Sequence, residues 1–194
     1  ALRFGQVADA EAWTHPVLRE KALAERWSKR SGVIAFPGAH DITPDNVHVC
    51  ADFLEKMLPP GNRVLVVSKP DPECIAILCE RLWPWRAQIE FRFTITADDN
   101  SLLAFWEPGA PPFAARMHAA QLAYDSDYRV SFSVEPMLDA PRVPRLFEKL
   151  RRFGGDIWIG KMNCVRARCK PMTRELLPYV EHIEATQTDA DILA

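Results

Sequence analysis

Five short apolar runs in this sequence each end in polar side chains of the kinds that bind charged ligands. These side chains are His40 and Asp41, Ser68 and Lys69, Arg92 and Thr94, Ser133 and Glu135, and Lys161 and Asn163. Four polar side chains on the third and fourth runs, Arg92, Ser131, Ser133 and Glu135, could be satisfied by a ligand that carries a carboxylate, an ammonium group and hydroxyls. A buried polar group without a partner costs roughly 1–3 kcal/mol. The alternative is therefore that these side chains satisfy one another, for example through an Arg92–Glu135 ion pair.

The two earliest polar groups also have simpler structural explanations. Lys69 could hold an anionic group at the mouth of a site, whereas a single lysine at the start of a helix is more often solvated. His40 and Asp41 could hydrogen-bond an amine, but a turn that begins a helix explains the aspartate almost as well. Both alternatives stay open on the sequence alone.

The polar groups follow segments that have the alternation of β-strands. Phe91, Phe93 and Ile95 fall on one side of an extended segment, and the polar residues between them fall on the other. The same pattern returns over residues 129–135. Predicted strands span residues 33–36, 63–67, 90–96, 129–135 and 156–160, with a helix-like segment between each and the next. This order predicts an α/β fold, a (β/α) barrel or part of one, with a ligand at the carboxyl ends of the strands.

The size of the chain predicts one domain over residues 1–194. The β/α units form its core over residues 32–163, a helix precedes them over residues 1–32, and a helical extension follows over residues 164–194. With 194 residues, 48% of them hydrophobic and 26% charged, the composition is that of an ordinary globular protein. A complete eight-fold barrel typically needs about 250 residues, so a barrel here is expected to be smaller or incomplete.

The charge of the chain favours no class of partner overall, because the formal net charge is −2. Residues 142–170 differ, since they carry nine basic residues against only Glu148 and Asp156. Two interpretations remain open for this segment, a solvated surface of helices and loops or a site for a polyanion such as nucleic acid.

The five cysteines, Cys50, Cys74, Cys79, Cys164 and Cys169, indicate a reduced cytoplasmic protein rather than a disulfide scaffold. No apolar run approaches the roughly 20 residues that span a bilayer, and no signal peptide is recognisable. Cys164 and Cys169 are separated by a gap that could suit a metal site in a loop. No further His or Cys pair nearby would complete it, and Cys79 is expected in the core.

Six segments of the sequence, taken together, resemble those of a known protein family. They are FPGAHDITP at 36–44, VSKP at 67–70, FRFTI at 91–95, WEPGAP at 106–111, SVEPMLD at 133–139 and IWIGKMN at 157–163. In this order they resemble the radical S-adenosylmethionine (SAM) superfamily, and within it the branch related to spore photoproduct lyase. The resemblance covers roughly residues 32–163.

The resemblance implies a partial (β/α)6 barrel. In that family a 4Fe–4S cluster binds SAM through its amino and carboxylate groups, and SAM is cleaved reductively to a 5′-deoxyadenosyl radical. A reductant such as flavodoxin or ferredoxin would supply the electron. The substrate could be DNA, RNA or a small molecule.

The resemblance also implies roles for individual residues. His40 and Asp41 would contact the amine end of the methionine moiety, Lys69 the SAM carboxylate or ribose region, Thr94 the ribose, and Glu135 the adenine side. Ser68, Arg92 and Ser133 complete the expected cofactor-binding set, and Lys161 and Asn163 are expected to bind substrate.

One departure from the family is severe, because the cluster-binding motif CxxxCxxC does not occur in the sequence. We expect the first strand and the cluster loop to lie upstream of Ala1, so that the 194 residues alone perform no radical chemistry. The rival expectation is a barrel that never had the motif and serves as a SAM-binding, ligand-binding or interaction module. A third hypothesis is a metal-independent lyase or hydrolase that uses Glu135 and Lys161 as acid and base.

Overall fold

Five parallel strands form one sheet in the computed structural model, which describes residues 24–38 and 40–188. The strands are β1 (Val33–Phe36), β2 (Arg63–Ser68), β3 (Ile89–Thr94), β4 (Arg129–Val134) and β5 (Ile157–Ile159), and their spatial order is their order along the chain. Each pair of neighbouring strands is parallel, so every connection must cross over from one end of the sheet to the other. The predicted α/β class and the five predicted strands are confirmed.

Helices make these crossovers. They are α1 (Val47–Met57), α2 (Pro72–Leu82), α3 (Asn100–Trp106), α4 (Phe113–Asp125) and α5 (Val143–Leu150). Two further helices, α6 (Val165–Arg168) and α7 (Leu177–Thr186), follow β5. The start of α2 shows why the sequence folds this way locally. The Asp71 carboxylate accepts hydrogen bonds from the amides of Glu73 and Cys74, and Pro72 occupies the first helical position.

The main hydrophobic core lies between one side of the sheet and the helices α1, α2, α4 and α5. We call this the helix-facing side; its central side chains are Phe91 and Phe93 on β3 and Phe132 on β4, which are fully buried. Burying a side chain of this kind contributes about 1.5–3 kcal/mol. The opposite side, which we call the polar face, carries Glu90, Arg92 and Thr94 of β3 and Ser131 and Ser133 of β4.

A second, smaller core forms beneath the C-terminal helices. Leu103 of α3, Leu138, Val165 of α6, and Val180 and Ile183 of α7 are buried there together. Trp106, Met162 and Cys169 pack against this cluster without being fully covered. The described residues after 164 thus contain two helices, α6 and α7, which pack over the region that follows the strands.

Several predicted boundaries change, by one or two residues in each strand concerned. Predicted strands 90–96 and 129–135 end earlier, at Thr94 and Val134. The helix predicted over residues 1–32 falls mostly outside the described residues, and within them residues 26–30 are not helical. Instead, the Arg30 amide donates to the Asn62 side chain, whose own amide donates to the Ser28 carbonyl, so this segment is held against Asn62. In the described chain, no helix combines the length and apolar character needed to cross a membrane.

Candidate functional site

Asp41 and Lys69 meet at the carboxyl ends of β1 and β2. The Lys69 ammonium lies 3.0 Å from Oδ2 of Asp41, and the Lys69 amide donates to Oδ1 at 2.8 Å. Both side chains are partly exposed, so the pair lies at the rim of the sheet rather than inside it. Exposed His40 lies beside it, with Nδ1 3.1 Å from the Asp41 carbonyl oxygen. The structure therefore brings these three predicted residues together and fixes the Asp41 carboxylate.

Ser68 supports this rim from behind. It is buried, on the helix-facing side with Val64 and Val66, and its hydroxyl accepts a hydrogen bond from the Ile42 amide at 2.9 Å. The same hydroxyl lies 3.4 Å from Oδ1 of Asp41. Ser68 thus ties the loop after β1 to the end of β2, and so holds Asp41 in position.

Arg92 is satisfied by its own neighbours on the polar face. Its guanidinium lies 3.2 Å from the Glu90 carboxylate and donates from Nε to the Ser131 hydroxyl at 3.2 Å. Ser131 in turn donates to Glu90 at 2.6 Å, and the Arg92 guanidinium lies over the Trp158 ring at 5.1 Å. The middle of the polar face is therefore a network whose members largely satisfy one another.

The Arg92–Glu135 ion pair named as an alternative is wrong in its partner. Glu90 lies two residues from Arg92 on the same strand, so both side chains project from the same face. Ser131 is the registered neighbour of Arg92 on β4. Glu135 follows Ser131 by four residues, which is about 13 Å along a strand at roughly 3.3 Å per residue. Arg92 therefore pairs with Glu90, the nearer carboxylate.

Thr94 and Ser133 differ from that network. They are registered partners on β3 and β4, both half-buried. Across the residues that the structure describes, neither side chain makes a hydrogen bond, and the exposed Glu135 side chain makes none either. Polar groups on this face are thus paired in the middle of the sheet and available towards its carboxyl edge.

Glu135, Lys161 and Asn163 line one pocket of about 270 Å³ beyond the ends of β4 and β5. Its other walls come from Trp106, Pro136, Met162, Arg168 and Cys169. Gly160 lies against the Glu135 side chain: a Cβ at position 160 would be 2.8 Å from both Cγ and Cδ of Glu135. An adjoining pocket of about 480 Å³ shares Lys161, Met162 and Asn163. The structure thus groups the two predicted substrate residues with Glu135.

Sequence reasoning missed Gln187, which lines the larger of these two pockets. Its side-chain amide donates to the Met137 carbonyl at 2.5 Å, and its oxygen accepts from the Met162 amide at 2.8 Å. It is buried just after α7, and it joins the chain beyond β4 to the chain beyond β5. No local signal distinguishes this glutamine, because its partners are 25 and 50 residues away.

A buried ion pair behind the edge was also missed. Arg116 of α4 is fully buried, and its guanidinium lies 2.6 Å from the Glu107 carboxylate. It donates to the carbonyls of Pro111 and Thr94, while Thr96 donates to Glu107 at 3.1 Å. This network fixes the chain that follows β3 against the loop before α4. Removing one partner of such a pair is costly, because the other charge stays buried.

The basic segment 142–170 is largely neutralised. Five of its cations form ion pairs with carboxylates: Arg142 with Asp99 and Asp139, Arg145 and Lys149 with Asp98, Arg151 with Glu148, and Arg166 with Glu184. The segment's side chains therefore present less net positive charge than their number indicates. This favours the first of the two interpretations, a surface of helices and loops.

The cysteines divide into two groups. Cys50, Cys74 and Cys79 are buried, and burial raises the pKa of the Cys50 thiol to about 11 and those of Cys74 and Cys79 to about 12. Cys164 is exposed and Cys169 half-buried at the two ends of α6. Within the described residues, no group of three or more His, Cys, Asp or Glu side chains could hold a metal ion.

Comparison with known proteins does not assign the chain to a family. The family models, the curated proteins and the solved structures each give no match to it. What is established is therefore the fold class and the arrangement of side chains at the carboxyl edge of the sheet.

Proposed function

We propose that this chain forms most of a partial (β/α)6 barrel of a radical SAM enzyme, and that SAM binds at the carboxyl edge of its sheet. The observation that carries the proposal is the arrangement of that edge. Five parallel strands follow one another in chain order, with the main core on one side only. This is the order of a barrel wall, whereas a doubly wound sheet reverses its strand order.

The side chains at this edge fit the functional groups of SAM. Asp41 and Lys69 offer a negative and a positive charge 3.0 Å apart, which suits an amino-acid zwitterion. Thr94 and Ser133 offer hydroxyls that make no hydrogen bond among the described residues, and these suit ribose hydroxyls. His40 and Glu135 flank the two ends of this row. With an iron–sulfur cluster and a reductant such as flavodoxin or ferredoxin, bound SAM would supply a 5′-deoxyadenosyl radical.

The residues present do not fit the cluster itself. The sequence lacks CxxxCxxC, and three of its five cysteines are buried with a raised pKa, which disfavours the thiolate that a cluster requires. We therefore propose that the cluster ligands are residues that do not belong to this 194-residue sequence. This chain's own part in the reaction is to bind and orient SAM.

The same observation favours a second candidate, a barrel that binds SAM or another ligand without radical chemistry. The complete reading frame separates the two. A CxxxCxxC motif ahead of Ala1 would support the enzyme. A complete frame without one would support the binding module.

Calorimetric titration of the purified chain with SAM tests the shared part of both candidates. Lys69→Met should weaken SAM binding by about tenfold or more, since a hydrogen bond to a charged group is worth about 1.5–3 kcal/mol. Arg63→Met is the matched control, because Arg63 is an exposed cation at the opposite end of the same strand. Absence of binding, or equal affinity in both variants, would refute the proposed site.

For the enzyme, the full-length protein is reconstituted anaerobically with iron and sulfide, reduced, and assayed for 5′-deoxyadenosine. Formation of that product supports radical chemistry. A reconstituted, reduced protein that binds SAM and yields none would leave only the binding module.

A further inference from the structure

We infer that the 270 Å³ pocket beyond β4 and β5 binds a small organic anion with a flat or apolar body. The inference goes beyond the SAM proposal, because its test does not require SAM, although Glu135 borders both sites. The four residues that carry it are Trp106, Glu135, Arg168 and Cys169.

The flat wall of the pocket is rigid. Trp106 meets Phe105 edge to face at a ring distance of 5.3 Å, and Phe105 stacks on Tyr179 of α7 at 3.7 Å. Trp106 and Met162 also pack against the second hydrophobic core. An indole held in place by its neighbours offers a ring or an apolar group a surface that is ordered before binding.

The charge of the pocket favours an anion. Arg168 lines the pocket and supplies a cation for the anionic group. Arg168 is exposed and forms no ion pair with any described residue, whereas Arg166, two residues earlier, is held by Glu184 at 2.7 to 3.0 Å. That bond fastens α6 to α7, and it therefore helps to hold Arg168 at the pocket. A guanidinium binds carboxylates and phosphates through paired hydrogen bonds.

Glu135 adds a requirement for a hydrogen-bond donor on the ligand. Its carboxylate makes no hydrogen bond within the described chain, and the absence of a side chain at Gly160 gives it room. An ionised carboxylate only accepts hydrogen bonds. The complementary molecule thus has an anionic group for Arg168, a hydroxyl or amine for Glu135, and a flat body for Trp106.

The pocket is smaller than most sites for drug-sized molecules. Its volume of about 270 Å³ lies below the range of roughly 300–1,000 Å³ typical of such sites. Small probes with a single aromatic ring are therefore the appropriate test ligands.

The two cysteines outside the core provide the test. Cys169 lines this pocket, whereas Cys164, at the other end of α6, lines the adjoining one. Alkylation of the whole chain with iodoacetamide, followed by mass spectrometry, gives a rate for each. The probes are para-hydroxybenzoate and para-hydroxybenzylamine, which match in size and differ in charge. The buried Cys50, Cys74 and Cys79 serve as controls for the folded state.

We expect para-hydroxybenzoate to slow alkylation of Cys169 by about tenfold at ten times its dissociation constant, following 1 + [L]/Kd. Alkylation of Cys164 should change little, and the amine probe should not protect. Arg168→Ala should abolish the protection, while Arg174→Ala, at an exposed arginine outside the pocket, should retain it. Equal protection of both cysteines, protection by the amine, or protection that survives Arg168→Ala would overturn the inference. SAM is absent from the assay, so these outcomes are independent of the proposed function.

Discussion

The two sides of the sheet are made by the same strands and differ in almost every physical property. On the helix-facing side, Phe91, Phe93 and Phe132 are fully buried. On the polar face, Arg92 alternates with these rings along β3, and Trp158 of β5 is 56% exposed. The first side excludes water, whereas the second keeps charges in contact with one another.

The contrast assigns stability and binding to different side chains. Apolar groups on the helix-facing side contribute through the area they remove from water. Polar groups on the other face contribute little, because each hydrogen bond replaces one to water at a net gain of about 1 kcal/mol. Substitutions on the helix-facing side should therefore cause large losses of stability, whereas substitutions on the polar face should mainly change ligand binding.

The largest expected effect comes from Phe93→Ala on the helix-facing side. Truncating a buried phenylalanine removes its transfer free energy and leaves a cavity, which lowers the free energy of unfolding by about 3–5 kcal/mol. Thr94→Ala, one residue away on the polar face, should cost below about 1 kcal/mol, because Thr94 is half-buried and its hydroxyl forms no hydrogen bond among the described residues.

Urea unfolding of both variants measures this difference, with the slope checked for two-state behaviour. Similar losses in the two variants would mean that the polar face is packed as tightly as the other and would end the comparison.

A smaller effect distinguishes two glycines at opposite ends of β5. A Cβ on Gly155 would lie 1.8 Å from the Val130 carbonyl oxygen, and backbone of β4 cannot move away cheaply. Gly155→Ala should therefore lower the free energy of unfolding by about 1–3 kcal/mol or more. The three atoms nearest to a Cβ on Gly160 all belong to the exposed side chain of Glu135, which can move away, so Gly160→Ala should lower the free energy of unfolding by less than about 1 kcal/mol.

Thermal unfolding of the two alanine variants, monitored by circular dichroism, ranks them. A lower melting temperature for Gly160→Ala than for Gly155→Ala would show that the carboxyl edge is rigid and that Glu135 cannot shift. The proposed ligand pocket would then be less adaptable than its exposed side chains indicate.

Patterns within a few residues predicted the sheet well. Alternation of Phe91 and Phe93 with polar residues fixed both the strand and its buried side, and the polar residues after each run pointed to one edge of the sheet. Such patterns succeed because a strand's side chains alternate strictly between two faces. The sequence placed Asp41 and Lys69 at this edge but did not predict their ion pair, which forms because neighbouring parallel strands end at the same edge.

Local sequence patterns did not predict which charged side chains pair with one another in the fold. Arg92 took Glu90 instead of Glu135, and the fully buried Arg116 lies on a helix whose other buried residues are alanines. An arginine is rarely buried without a partner, and its partner Glu107 lies in the preceding loop. Only the folded arrangement brings such groups together. The sequence therefore contained no signal that Trp106 lines a pocket or that Gln187 joins the chain after β4 to the chain after β5.

The smallest effect concerns Asp99, which caps α3 in the loop after β3. Hydrogen bonds from the Ser101 hydroxyl and amide, at 2.7 and 2.8 Å, hold the pKa of Asp99 below its ordinary value of 3.8. A lowered pKa means that the stabilisation is complete above the unfolded value and is lost as the pH falls through the folded value. Asp99→Asn keeps the cap but removes the charge. The free energy of unfolding of wild type should therefore exceed that of the variant by about 0.5 kcal/mol at neutral pH.

The greater stability of wild type over Asp99→Asn should decline as the pH falls below about 4 and should vanish below the folded pKa of Asp99, as urea titrations at a series of pH values would measure. Ser101→Ala removes the first of the two hydrogen bonds, so it should move the loss of stability to a higher pH. An advantage that persists in acid would mean that the Asp99 charge contributes nothing and that shape alone caps the helix. In both cases the Asp99 charge contributes far less to the free energy of unfolding than the Phe93 side chain does. This is expected if the loops at the carboxyl edge serve binding and the buried rings stabilise the fold.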